Sequence, residues 1–241
     1  MTGRIHSMTS ILNSFKNLPI VRRWRYGRLY GARYSDMSMF RAIDGWLHDA
    51  EANRLFDLAN SLSNNAPVVV ELGSWVGKSS VVLGHAIKNK NRPELYCIDP
   101  FNADGEDESS DEYRHRQAKL ALELKAVFEA NVQNFGIPSI THTVAKYSFD
   151  AVKTWTKSID LLFIDASHDY NDVKQDINDW SPFIKPGGVI AFHDVDINKV
   201  SLELTGPGRA AKELIADSPE WDNGRLIHSV FSSQKRATPS P

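Results

Sequence analysis

The chain has 241 residues, which suits one α/β domain with additions and leaves little room for two. Hydrophobic residues make up 41% and charged residues 24%, and the net charge of −2 argues against binding nucleic acid with the whole surface. A single cysteine, Cys97, excludes a disulfide within the chain and fits a reducing, cytoplasmic setting. No apolar run approaches the roughly 20 residues of a membrane helix.

Charge is unevenly spread. Residues 1–41 hold eight Lys or Arg against one acid, Asp36, which predicts a basic N-terminal arm or helix. Such an arm could lie on the domain, join two copies in a homo-oligomer, or act as an organelle-targeting segment. From residue 42 to 235 the pattern alternates between helix and strand, and residues 236–241 read as a disordered tail.

In chain order, "GWLHDAEANRLFDLANSL" carries apolar residues at helical spacing, from Trp46 to Leu62. "PVVVEL" (67–72) is a β-branched run and predicts a buried strand. "KSSVVLGHAIKN" follows as a helix, then "ELYCID" (94–99) as a strand. The acidic stretch "FNADGEDESSDEYRH" (101–115) reads as a solvated loop that could close over a ligand. "KLALELKAVFEANVQNFG" predicts a helix stopped by Gly136. "ITHTVA" (140–145) and "IDLLFID" (159–165) are strands. "NDVKQDINDWSPFI" sets Val173, Ile177, Trp180 and Ile184 on one helical face, with Asp169 as its N-cap. "KPGGVIAFHD" turns into a strand, "GRAAKELIAD" is a helix and "RLIHSVFSS" a last strand.

Nearly continuous apolar strands alternating with helices predict a doubly wound, Rossmann-like, mostly parallel sheet with helices on both faces. Ligands of such sheets bind beyond the carboxyl ends of the strands. The informative residues are therefore those after each strand: Glu71–Ser79, Asp99–Phe101, Asp165–Tyr170 and His193–Asp196.

The loop "ELGSWVGKSS" (71–80) has the glycines and helix start of a ligand loop. It is a poor GxGxxG. It is one residue short of a P-loop, so a P-loop-type ATPase or kinase stands as a rival. Glu71 at the strand end suits an amine better than a phosphate. Asp99 ends the second strand, where an acid commonly binds ribose hydroxyls. An amine, a ribose and no phosphate describe S-adenosylmethionine (SAM).

In order along the chain, "GWLHDAE", "VVVELGSWVGKSS", "IDPF", "FIDASHDYNDVKQDINDWSPFIKPGGVIAFHD" and "GPGRAAKEL" resemble class I SAM-dependent methyltransferases. The nearest subgroup is the small-molecule O-methyltransferases related to the macrolide-sugar and catechol enzymes. The resemblance covers roughly residues 42–235. It implies a sheet of about seven strands, SAM as methyl donor and, in many relatives, bound magnesium.

The expected cofactor contacts are Glu71, Gly73, Ser74, Gly77, Ser79, Asp99, Phe101 and Asp165. Asp165 and Asp194 end strands expected to be neighbours, about 4.8 Å apart, where two carboxylates call for a cation between them. Mg²⁺ is the expected ion, and Asp196 has better donor chemistry for it than His193. The resemblance places metal ligands at Asp165 and Asp194, and a relative's second acidic ligand falls on His193. His168, three residues after Asp165, is the expected general base, with Asp165 beside it in catalysis. The expected activity is methyl transfer to a hydroxyl of a sugar, phenol or natural product. Nucleic acid is disfavoured as acceptor by the acidic loop. A non-catalytic SAM-fold binding protein is the second rival.

Overall fold

A computed structural model describes residues 20–21, 24, 27–28, 38–104, 110–195, 206–222 and 224–237. The chain divides into two compact units, Met1–Ala42 and Ile43–Pro241. Most of the basic arm, the centre of the acidic stretch (105–109) and Asp196 lie outside the described residues. Within the first unit a 3₁₀ turn spans Ser38–Ala42. Among the described residues no helix is long and apolar enough to cross a membrane.

The second unit is built on one seven-stranded sheet: β1 (Val68–Leu72), β2 (Glu94–Ile98), β3 (Thr141–Val144), β4 (Ile159–Ile164), β5 (Ile184–Phe192), β6 (Arg225–Ile227) and β7 (Val230–Gln234). The spatial order is β3-β2-β1-β4-β5-β7-β6. The first five strands are parallel, and β7 and β6 join antiparallel at the edge. All six residues of β4 are buried, as a strand with helices over both faces requires.

The helices are α1 (Asp49–Asn60), α2 (Lys78–Ile87), α3 (Ser110–Gln117), α4 (Leu124–Asn134), α5 (Ser148–Ala151), α6 (Tyr170–Trp180) and α7 (Gly206–Ala211), which runs into π-helical Lys212–Ala216. Val173, Ile177 and Trp180 form the buried face of α6, as their spacing predicts. Asp169 caps that helix, its Oδ1 accepting from the Asn171 N–H at 2.7 Å.

Four details depart from the sequence reading. Ile184, expected on the helical face of Val173, Ile177 and Trp180, instead begins β5. The last predicted strand is a hairpin, β6 and β7, turning at His228 with φ 55°. The acidic stretch is helical from Ser110, and the helix expected from Lys119 begins only at Leu124. The predicted tail begins too early: the Arg236 N–H donates to the Glu220 carbonyl at 2.8 Å and its Nε to Asp222 at 3.0 Å.

Strand order reverses between β1 and β4. The carboxyl ends of β1, β2, β4 and β5 therefore open onto one crevice, and every expected site residue within the described residues except Glu71, which lies inside β1, is in the segments leaving those ends.

Candidate active site

The crevice is a cleft of ≈ 590 Å³. Its floor is the loop from β1 to α2. Gly73 (φ 81°) passes so close to β4 that a Cβ would lie 2.2 Å from the Asp165 carbonyl oxygen, so only glycine fits there. Gly77 (φ 92°) caps α2 and abuts the Phe128 ring.

Asp99, at the end of β2, holds this loop in place. Its Oδ2 accepts from the N–H groups of Ser74 (2.8 Å) and Trp75 (2.9 Å), and its Oδ1 from the Phe101 N–H (2.6 Å). Burial pushes its carboxyl up, opposed by those three N–H groups. The Ser74 and Trp75 N–H groups are donors that a P-loop would present to phosphate. With a carboxylate already on them, the P-loop rival loses its binding site.

Glu71 is fully buried and does not line the cleft. Its Oε2 accepts from Ser74 Oγ at 2.7 Å and from Ser80 Oγ, while Oε1 has no hydrogen-bond partner. Burial raises its pKa to about 7, against hydroxyl donation by Ser79, Ser80 and Ser74. Phe101 (φ 54°) also lies behind the wall, its ring 5.1 Å from that of Phe128. Gly73, Ser74, Ser79, Asp99 and Asp165 line the cleft; Glu71, Gly77 and Phe101 support it from behind.

On the other side of the cleft, Asp165, His168, His193 and Asp194 converge. His168 Nε2 lies 3.0 Å from Asp194 Oδ2. His193 is 5% exposed and sits between three carboxylates. Its Nδ1 is 3.1 Å from Asp165 Oδ1 and 3.0 Å from Asp194 Oδ2, and its Nε2 is 3.1 Å from Glu51 Oε2. Burial disfavours the imidazolium, but Asp165, Asp194 and Glu51 outweigh it and hold the proton far above the usual histidine range. Asp194 is held well below the carboxylate range, its own burial outweighed by His168 and His193.

Glu51 is the residue that sequence reasoning missed. It comes from the first turn of α1, is 1% exposed, and also accepts from the His48 N–H (2.7 Å), Ser229 Oγ and His228 Nδ1. It is 142 positions from His193, and no spacing signal links the two.

Asp165, His193 and Asp194 offer ligand atoms within 4.8 Å of one another. Two carboxylates and an imidazole suit a divalent cation. The expected set therefore changes: Asp165 and Asp194 come together, His193 lies between them, and Asp196 is outside the described residues.

Two further features of the wall were unexpected. Trp46, Trp75 and Tyr113 form an aromatic group with centroids 5.2–5.8 Å apart, over which Arg116 stacks on Trp46 at 4.2 Å. Trp75 thus lines the cleft. Across from it, Tyr147 and Phe149 stack at 5.2 Å with their planes 12° apart.

The cleft thus joins a glycine-floored loop, an acid at the end of β2 and a polar cluster across β4 and β5. A family model described as a methyltransferase domain matches residues 70–195, which include all of them. The chain belongs to that methyltransferase family. The protein is similar to uncharacterized protein R132 of Acanthamoeba polyphaga mimivirus, 29% identical over 170 residues. That match covers 68% of this chain and 66% of the viral protein.

Among solved structures, this methyltransferase shares its fold with cofactor-bound Rv0187 from MTB (TM-score 0.61, 17% identity, 92% of this chain and 99% of that one). It likewise resembles TomG of Streptomyces achromogenes, an O-methyltransferase of tomaymycin synthesis solved with SAM (TM-score 0.57, 14% identity, 85% and 90%). What is shared with both is the seven-stranded, Rossmann-like fold.

Proposed function

We propose that this methyltransferase moves a methyl group from SAM to a hydroxyl of a small molecule, with His168 as general base. The observation that carries the reading is the pairing of His168 with Asp194 on the cleft wall formed by β4 and β5, across from the loop that Asp99 holds. In this reading the Gly73–Ser74 backbone and Ser79 meet the amino-acid end of SAM. Asp99 takes a ribose hydroxyl with the lone pair left on Oδ1, and Tyr147 and Phe149 flank the base. Glu71 acts from below through Ser74, and Gly77 and Phe101 shape the loop. TomG, with SAM bound to the same fold, supports the cofactor assignment.

A neutral hydroxyl is a weak nucleophile, so its proton must leave as the C–O bond forms. His168 accepts that proton, and Asp194 steadies the imidazolium that results. The oxygen attacks the sulfonium methyl in line, the S–CH₃ bond breaks, and S-adenosylhomocysteine departs as a neutral thioether. Closure of the aromatic wall around Trp46 keeps water out of the line of attack. Asp165 and Asp194 would hold a divalent ion, and such an ion would supply Lewis acidity toward the acceptor hydroxyl. The acids of the cleft rim, Asp44, Asp104 and Glu112 among them, oppose a polyanionic acceptor and favour a neutral or cationic one.

Two measurements test this. S-adenosylhomocysteine should raise the melting temperature and ATP should not. His168→Ala should lower turnover of a hydroxylated acceptor by about 10²–10⁴-fold while leaving the S-adenosylhomocysteine shift in place. Undiminished turnover would remove His168 from the mechanism.

A further inference from the structure

The cluster at the ends of β4 and β5 has a depth that two carboxylates alone do not explain. Behind His193 stands Glu51, almost completely buried and held by the His48 N–H, Ser229 and His228. A carboxylate fixed by that many donors cannot swing away, so it fixes the ring it touches. With Nε2 donating to Glu51, Nδ1 is the atom turned toward Asp165 and Asp194, and an ion bound there replaces the proton that Nδ1 shares with them.

Nδ1 lies 3.1 Å from Asp165 Oδ1 and 3.0 Å from Asp194 Oδ2. Two ligands at right angles around one ion, each about 2.1 Å from it, lie about 3.0 Å apart. Nδ1 therefore already has the spacing of a neighbouring ligand to each carboxylate, and the ligand atoms of all three residues lie within 4.8 Å of one another. Asp194 reaches its place with φ 53°, a left-handed conformation that costs a non-glycine residue energy and that the surroundings must impose. A carboxylate behind an imidazole is also the usual support of a metal-bound histidine, fixing its tautomer and raising its basicity.

We propose that His193, oriented by Glu51, is a metal ligand, and that it makes this a site for a borderline divalent ion such as Mn²⁺, Co²⁺ or Zn²⁺ in preference to Mg²⁺. Mg²⁺ takes oxygen ligands and holds its waters, whereas imidazole suits the later transition metals. The inference rests on reading this cleft as the methyl-transfer site, but the ion's identity is decided by three side chains and their support. Glu51 is a positioning residue: it touches no substrate and acts through the imidazole.

The test is binding of the metal alone to the full chain after chelator treatment, without SAM or acceptor. Calorimetry should give Co²⁺ an affinity at least about tenfold above that of Mg²⁺. The visible Co²⁺ spectrum should change when the nitrogen ligand is removed. His193→Asp, which makes the set all-carboxylate, should lower the Co²⁺/Mg²⁺ ratio by about tenfold. Glu51→Gln should weaken Co²⁺ by about 10–100-fold. It serves as the decisive variant if His193→Asp does not fold.

Equal Co²⁺ and Mg²⁺ affinities in the wild type, or Co²⁺ binding untouched by the variants, would overturn the proposal. Thermal shifts with S-adenosylhomocysteine on the same samples separate the two readings. A nucleoside shift without ion binding discards the metal ligand alone. Ion binding without a nucleoside shift discards the methyl-transfer reading and keeps the metal site.

Discussion

Two glutamates, Glu51 and Glu71, are equally hidden from water, at 1% and 0% exposure, yet their surroundings drive them in opposite directions. Burial raises both. For Glu51 it is outweighed by His193, Ser229 and the His48 N–H, and the carboxyl falls well below the ordinary range. Glu71 has only the hydroxyls of Ser79, Ser80 and Ser74, with Asp165 adding repulsion, and it rises to about 7. A buried carboxylate keeps its charge when a cation faces it, and neutral hydroxyls are not enough. The region behind β5 is thus a fixed charge pair supporting the cluster. The region beneath the β1–α2 loop holds an acid that keeps its proton up to about pH 7 and that shapes the cleft floor.

The largest expected effect comes from breaking the charged side. In chelator-treated protein, Glu51→Ala leaves His193 buried with one partner fewer and should lower stability by about 3–5 kcal/mol, read by urea denaturation. A loss within about 1 kcal/mol would show that Asp165 and Asp194 alone hold the imidazole.

The second effect sharpens the comparison through pH. Between about 4.5 and about 7 the folded protein keeps the Glu71 proton that the unfolded chain has released. Native protein then binds more protons than unfolded, so stability falls as pH rises through this window. Asp176, raised to about 7 by burial against Ser148, with Asp172 and Asp179 nearby, adds the same sign. Glu71→Gln should flatten only part of the slope and gain at most about 3 kcal/mol relative to wild type at pH 8. Melting temperature against pH for both proteins measures it, and parallel curves would remove Glu71 from the linkage.

The smallest effect calibrates the other two with an exposed carboxylate. Asp169 caps α6 through the Asn171 N–H, and Asp169→Ala should cost about 1 kcal/mol by thermal denaturation.

Much of this molecule was legible before folding. The β-branched run 67–72 and the apolar run 159–164 announce buried strands because only a sheet covered on both faces accommodates them. Asp99, Asp165, His168 and Asp194 could be picked out because each follows such a strand, where parallel sheets open their binding crevice. Asp169 was readable as a cap because its signal is local. The hairpin of β6 and β7 was not, since "RLIHSVFSS" carries no glycine or proline to mark the turn that His228 makes.

The sequence alone determined the layered α/β architecture and the chemistry at the strand ends, because period, turn residues and strand-end position act over a few residues. Tertiary structure alone decided that Glu51 meets His193 from 142 positions away and that Trp46, Trp75 and Tyr113 share one wall. It also decided that Glu71 and Phe101 stand behind the cleft while Asp99 faces it. Which partner a buried charge finds depends on how the elements pack, and packing brings together residues whose sequence separation carries no trace of their contact.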